Sequence, residues 1–385
     1  MCVISMIFKH SNVLLLRKSS SKLSKRTKSS LERGPPWKIL FFGTDFFSMD
    51  SLKALCAKLR TGTLIESLGV VTKSGSLVEK FGINEGLPSY IWPLEAAEIK
   101  NKYDVGMVVS FGKLITNDVI QSFPLGCINV HASILPRWRG AAPIIHSIMN
   151  GDTETGVTVM RIHPHKFDVG EIIRQYRIPI HSNETSTELE KRLAKCGSHL
   201  LMECLRDLPR CVEMATPQPD IGVTYAPKIR SEMSVIKWEN MSARNVFNLY
   251  RALNHVYPLT TKWHGALVKL TEVILSEEDI KKNALDTGSP ITNKEVYKSA
   301  LQFLNSSSET SSTKNTVFQT KDTSFTNKSG NIHFFKNKRE LHVTCCDGSV
   351  IIVKKLKVSG KSVTALDFYN GFLAKRPKSE WNFES

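Results

Sequence analysis

A mainly apolar run over 37–42, interrupted by Lys38, ends at Gly43, and after a short turn Leu52, Leu55 and Leu59 recur at helical steps. Further short apolar segments lie at 65–71, 105–109, 127–130 and 157–162. Strand-length runs alternating with helical stretches predict βαβ units and an α/β domain with a mostly parallel, Rossmann-like sheet covered on both faces. In such sheets ligands bind beyond the carboxyl ends of the strands. Gly43-Thr44-Asp45 and Asn129-Val130-His131 are therefore in the right places for a site. From 186 to 208, Leu189, Leu193, Cys196, Leu200, Cys204 and Leu208 return every three or four residues, which predicts one buried helix face. Thr185 and Glu188 have the spacing of a capping box that starts this helix.

The pattern changes after Thr216-Pro217-Gln218-Pro219-Asp220, a stretch with the chemistry of a linker. Short alternating segments follow, for example 341–344 and 350–353 around Asp347-Gly348, and predict a smaller C-terminal β-barrel of OB-like type. The expected organisation is a catalytic domain over 37–214, a linker over 215–234, the barrel over 235–374 and a basic tail over 375–385. Within the barrel, about 304–329 is Ser/Thr/Asn/Lys-rich and too poor in apolar residues to offset its ordering entropy, so a disordered insert is expected there.

Charge adds a partner class. Lys and Arg number 52 against 36 Asp and Glu, a surplus that points to a polyanion. Part of it sits in residues 1–36, where eight cations face the single acid Glu32 among many serines, the composition of an organelle transit peptide. Mitochondrial targeting, to the matrix, is the expectation. The surplus persists beyond that segment. No run of about eighteen apolar residues exists, so no membrane-spanning helix is expected. The eight cysteines form no C-x-x-C pair and no zinc-spaced cluster with histidine, so neither structural disulfides nor a metal is expected.

The densest chemistry lies in Asn129-Val130-His131-Ala132-Ser133-Ile134-Leu135-Pro136-Arg137-Trp138-Arg139-Gly140-Ala141-Ala142-Pro143, followed further on by Asp168-Val169-Gly170. Strand alternation puts Asn129 and His131 on one side. An amide, an imidazole and a carboxylate suit acyl transfer to an amine. The amide donates to the oxygen that gains charge, and the imidazole, or a carboxylate through water, takes the proton that the amine sheds. Asp168 could orient His131, raise its basicity or hold a relaying water. No serine or cysteine nucleophile is needed. Arg137 and Arg139 are placed either to meet a polyanion or to brace the loop against an acid. A nicotinamide dehydrogenase is a poor alternative, since no G-x-G-x-x-G follows the first strand. A nucleic-acid-binding protein that had lost catalysis would be expected to lack one of the three polar residues.

Asn-x-His-x-Ser-x-Leu-Pro followed by Asp-x-Gly resembles the signature of the folate-dependent formyltransferases. That resemblance implies catalytic roles for Asn129, His131 and Asp168, and contacts from Ser133, Ile134, Leu135 and Pro136 to 10-formyltetrahydrofolate. The run 137–143, Phe42-Gly43-Thr44, Tyr225-Ala226-Pro227-Lys228-Ile229 and Ala365-Leu366-Asp367-Phe368-Tyr369-Asn370-Gly371 are similar to the branch acting on methionyl-tRNA, the last in its mitochondrial form. The likeness runs from about residue 37 to 372, outside the Ser/Thr-rich insert. It implies formyl transfer to initiator methionyl-tRNA by a monomer. Arg137, Arg139, Lys73, Lys354, Lys355 and Lys357 are the candidate tRNA contacts. Family members that act on ribonucleotide or sugar-nucleotide amines are the alternatives; the presequence and Trp138-Arg139-Gly140 favour tRNA. One departure concerns the second strand end, where bacterial members carry a long basic loop and this chain has only Lys73 and Lys80.

Overall fold

The computed structural model describes residues 34–276 and 328–385. The expected transit peptide, up to residue 33, and the expected insert, up to residue 327, lie outside the described residues. The first sheet has seven strands: β1 Trp37–Phe42, β2 Ile65–Thr72, β3 Ser89–Ile91, β4 Val105–Val109, β5 Cys127–His131, β6 Glu154–Arg161 and β7 Ile172–Pro179. Their order is β3-β2-β1-β4-β5-β6-β7, and the pairs β2–β3, β1–β2, β1–β4 and β4–β5 are parallel. Helices α1 Phe46–Thr61, α2 Leu77–Asn84, α3 Ala96–Ile99, α4 Asn117–Gln121, α5 Pro143–Met149, α6 Ser186–Arg206 and α7 Arg210–Glu213 connect or follow them.

The residues explain these elements. Five of the six β1 residues are buried, as a strand covered on both faces requires. Helix α1 ends at Gly62 in the left-handed conformation, its N–H bonded to the Leu59 carbonyl, with Lys58 and Arg60 in the last turn. Thr185 and Glu188 cap α6 reciprocally, and of the predicted helix face only Cys196 is half-exposed. Phe42, Trp92 and Phe111 pack edge to face at 5.3–5.4 Å in the core under β1 and β4.

The second sheet is antiparallel and has six strands: β8 Leu259–Trp263, β9 Ala266–Leu275, β10 Ile332–Phe335, β11 Glu340–Thr344, β12 Val350–Val358 and β13 Lys361–Thr364. It runs β10-β11-β12-β9-β8, with β13 also on β12. Helices α8 Ala243–Leu253 and α9 Ala365–Gly371 accompany it.

Residues 375–385, expected as a basic tail, do more than trail. Trp381 accepts from the Ile332 N–H at 2.9 Å and Phe383 donates to Gly330 at 2.9 Å, while Glu384 and Lys262 exchange both backbone bonds at 2.9 and 3.0 Å. The final segment thus pairs with both edge strands, β10 and β8, and closes the sheet into a barrel. Phe383 is 1% exposed and packs with Trp238, Trp263 and Phe368. The expected tail missed this because its apolar residues are only two, at alternate positions.

The chain divides into two compact units, each assembled from three stretches of sequence. One comprises residues up to His131, Val159–Arg174 and Gly197–Gln218; the other comprises Ala132–Thr158, Gln175–Cys196 and Pro219–Ser385. The physical reason is visible inside the second unit. Arg139 pairs with Tyr225, Ser186 donates to the Ala252 carbonyl at 2.7 Å, and buried Arg251 donates to the Glu184 carbonyl at 2.9 Å. These bonds tie segments from the middle of the chain to the barrel residues.

Candidate functional site

In the first unit the strand order reverses between β1 and β4, so the crevice at their carboxyl ends is the topological switch point. Thr44, just past β1, donates to the Ser110 carbonyl at 2.9 Å, and Ser110, just past β4, donates to Asp45 at 2.5 Å. Strand β5, next to β4, ends in Asn129-Val130-His131. His131 is 6% exposed, and its Nδ1 lies 3.5 Å from Oδ1 of Asp168. Asn129 is half-buried, and among the described residues no hydrogen bond engages its side chain. Asp168 sits in the turn before β7 with φ 55°, a left-handed conformation that aspartate tolerates better than most residues. The sequence separation of His131 and Asp168 is thus closed by the β5–β6–β7 arrangement. An imidazole with a carboxylate on Nδ1 presents its Nε2 for proton transfer.

In the second unit, residues 133–140 form a heavily braced loop. Thr158 donates to the Ser133 carbonyl at 2.7 Å and accepts from the Leu135 N–H at 3.1 Å, and Gln175 donates to the Leu135 carbonyl at 2.9 Å. Ser133 turns back to the Arg137 carbonyl at 2.6 Å. Ser133 and Leu135 are buried, while Ile134 and Pro136 remain half-exposed. Only the latter two present side-chain surface to a ligand. Gly156 allows the close packing here: a Cβ would fall 2.0 Å from the Tyr176 carbonyl and 2.5 Å from Ile134.

Arg137 takes the bracing alternative. It grips Asp152 through two bonds of 2.9 and 2.5 Å and lies over the Trp138 ring at 4.3 Å; Trp138 donates to the same carboxylate at 2.7 Å. Its hydrogen bonds to Asp152 raise the Arg137 pKa. His146, tilted against Trp138, has its pKa lowered by burial. Arg139 is held by backbone bonds to Thr224 and Ala226 at 2.9 and 2.7 Å.

The predicted lysines separate into distinct cases. Lys73 is exposed at the carboxyl end of β2, in the first unit. In the barrel, Lys354 pairs with Glu340 and Lys355 with Glu272, both at 2.7 Å. The hydrogen bond to Glu272 raises the Lys355 pKa. A register shift around Lys355 turns Lys354 and Lys355 to the same outer side of β12. Lys357 stands opposite Lys269 of β9, a like-charge cross-strand pair. Lys269, Ser110, Thr158, Gln175 and Asp152 escaped sequence reasoning. None carries a local motif; register or long-range packing alone brings them in.

A formyl transferase family model matches residues 95–205, and the model of the formyl transferase C-terminal domain matches residues 228–373. The human protein named "Methionyl-tRNA formyltransferase, mitochondrial" is 36% identical over 90% of this chain and 80% of its own length. Its Bos taurus counterpart is 37% identical over 88% and 78%. Among solved structures, an N-formyltransferase from Helicobacter canadensis, in complex with folinic acid and dTDP-3-aminofucose, superposes with a TM-score of 0.53 at 18% identity. It covers 83% of this chain and 99% of its own, and shows the shared fold. By its sequence relatives and both domain matches, the chain belongs to the formyltransferase family, in the methionyl-tRNA formyltransferase branch.

Proposed function

We propose that this protein transfers the formyl group of 10-formyltetrahydrofolate to the amino group of initiator methionyl-tRNA in the mitochondrial matrix, as a monomer, residues 1–36 serving as transit peptide. The observation that carries the chemistry is the His131–Asp168 contact of 3.5 Å beside an amide, Asn129, that faces the same strand side. His131 takes the proton that the amine sheds as its nitrogen bonds to the formyl carbon. It returns that proton to the donor nitrogen as the old carbon–nitrogen bond breaks. Asn129 donates to the formyl oxygen, which gains negative charge as the amine adds. Asp168 holds the imidazole in the tautomer whose Nε2 accepts.

The folate supplies an activated one-carbon unit. Beyond His131 in sequence, the half-exposed Ile134 and Pro136 suit a flat, largely apolar ring, while Ser133 and Leu135 hold their loop in shape. Residues 37–214 carry the chemistry in this reading, and 235–374 hold the tRNA through Lys354, Lys355 and Lys357, with Lys73 and Arg139 as further cations. Contacts of that kind attract phosphates without reading bases.

The test is acceptor competition. The protein, formyl-labelled folate and charged methionyl-tRNA are incubated with and without excess glycinamide ribonucleotide or an amino sugar nucleotide. Label is expected on methionyl-tRNA and undiminished by either competitor. Label on a competitor, with none on the tRNA, would overturn the assignment.

A further inference from the structure

Gln218 lies in the Pro-flanked stretch that reads as a linker from sequence. In the structure its neighbour Thr216 exchanges both backbone bonds with Ile172 of β7, at 2.7 and 2.9 Å. This pairing brings Gln218 to the turn that precedes β7. Its amide nitrogen donates to the Asp168 carbonyl and to the Gly170 carbonyl, each at 2.9 Å. Two carbonyls facing one amide group fix its orientation, since the reversed amide would set oxygen against oxygen. The turn it grips is unusual. Asp168 is left-handed at φ 55°, and a Cβ on Gly170 would fall 1.8 Å from the Arg161 carbonyl. A residue held in such a conformation needs surrounding structure to enforce it.

We infer that Gln218 is a positioning residue for the transfer reaction: its amide clamps the turn at Asp168 and Gly170 and so aims the Asp168 carboxylate at Nδ1 of His131. This rests on Asp168 serving His131 in catalysis, as proposed above. Gln218 grips the backbone on either side of Val169, and its amide nitrogen also lies 3.9 Å from the Met160 sulfur. It acts through Asp168, and the linker becomes part of the active-site frame.

Gln218→Met keeps the length and removes both donors. Turnover is expected to fall about 10- to 100-fold, as when a hydrogen bond that orients a catalytic group is lost, while KM for methionyl-tRNA and for the formyl donor moves less than about twofold. In an Asp168→Asn background the same change should add less than about twofold, because the carboxylate it aims is already gone. Equal losses in both backgrounds would make Gln218 merely structural and overturn the inference. So would full turnover in Gln218→Met beside a crippled Asp168→Asn. Full turnover in Asp168→Asn alone would instead sink the catalytic reading of Asp168. If Gln218→Met fails to fold, Gln218→Asn, which retracts the amide by one methylene, takes its place. It should lose turnover in part and show the same non-additivity.

Discussion

The crevice at the ends of β1, β4 and β5 and the outer face of β12 are both polar, but they use polarity in opposite ways. At the strand ends, groups from separate parts of the chain converge: His131 meets Asp168, and Ser110 meets Asp45. On β12 the cations are strung along a surface, and two of them are already matched by acids, Glu340 and Glu272. Under the proposed function, convergence makes each group indispensable, because the reacting atoms would pass one point. Distribution makes each charge replaceable, because a polyanion samples the summed field. The difference predicts abrupt effects at the first region and graded, salt-sensitive effects at the second.

The barrel bearing the distributed face is itself closed by a convergent device, and breaking it should give the largest effect. Phe383→Ala empties a fully buried aromatic site and loosens the segment that pairs with both sheet edges. A loss of about 3–5 kcal/mol in unfolding free energy is expected from denaturant titration. A loss below about 1 kcal/mol would mean that the last residues do not close the sheet in solution. Next in size comes Asn129→Ala. Turnover should drop about a hundred- to a thousandfold, or ~2.7–4 kcal/mol in barrier, with little change in tRNA affinity. Unchanged turnover would remove Asn129 from the oxyanion role and blunt the contrast between the two regions.

Legibility in the sequence follows the same divide. Asn129 and His131 sit two positions apart on one strand, and Asp168 stands beside a Gly turn, so alternation and motif spacing singled out the stretches whose His131 and Asp168 the fold brings to 3.5 Å. The parallel sheet and the antiparallel unit were likewise legible, because hydrophobic period is a local property. Gln218 was not. Its partners, Asp168 and Gly170, are 50 and 48 residues away, and Pro on both sides gives it the look of a linker. The closing segment was hidden for a related reason: edge pairing is decided by the partner strands, and Trp381 and Phe383 are too few to form a pattern. The lysines of β12 were legible as a cluster, yet their pairing was not. The register shift and the acids opposite belong to the assembled sheet.

That register separates the lysines experimentally. Lys357 faces Lys269, with no acid between them in the cross-strand pairing, whereas Lys355 faces Glu272. Replacing Lys357 and Lys269 together by Ala should reduce the slope of log affinity for tRNA against log salt by about 1–2, near 0.9 for each lost phosphate contact. Replacing Lys354 and Lys355 should flatten it less, since each is already engaged by an acid and makes less of a phosphate contact.

The smallest and most discriminating change leaves every cation in place. Glu272→Gln removes the acid that occupies Lys355 while keeping the side chain's size and position. If the outer face of β12 acts through its net field, liberating one lysine should lower KM for methionyl-tRNA about two- to threefold and steepen the salt slope slightly, with turnover unchanged. An identical KM and slope would mean that tRNA does not pass over Lys355. The phosphate contacts would then have to be sought at Lys357 and Lys269, where the like-charge pair already carries an energetic cost that a bound polyanion would relieve.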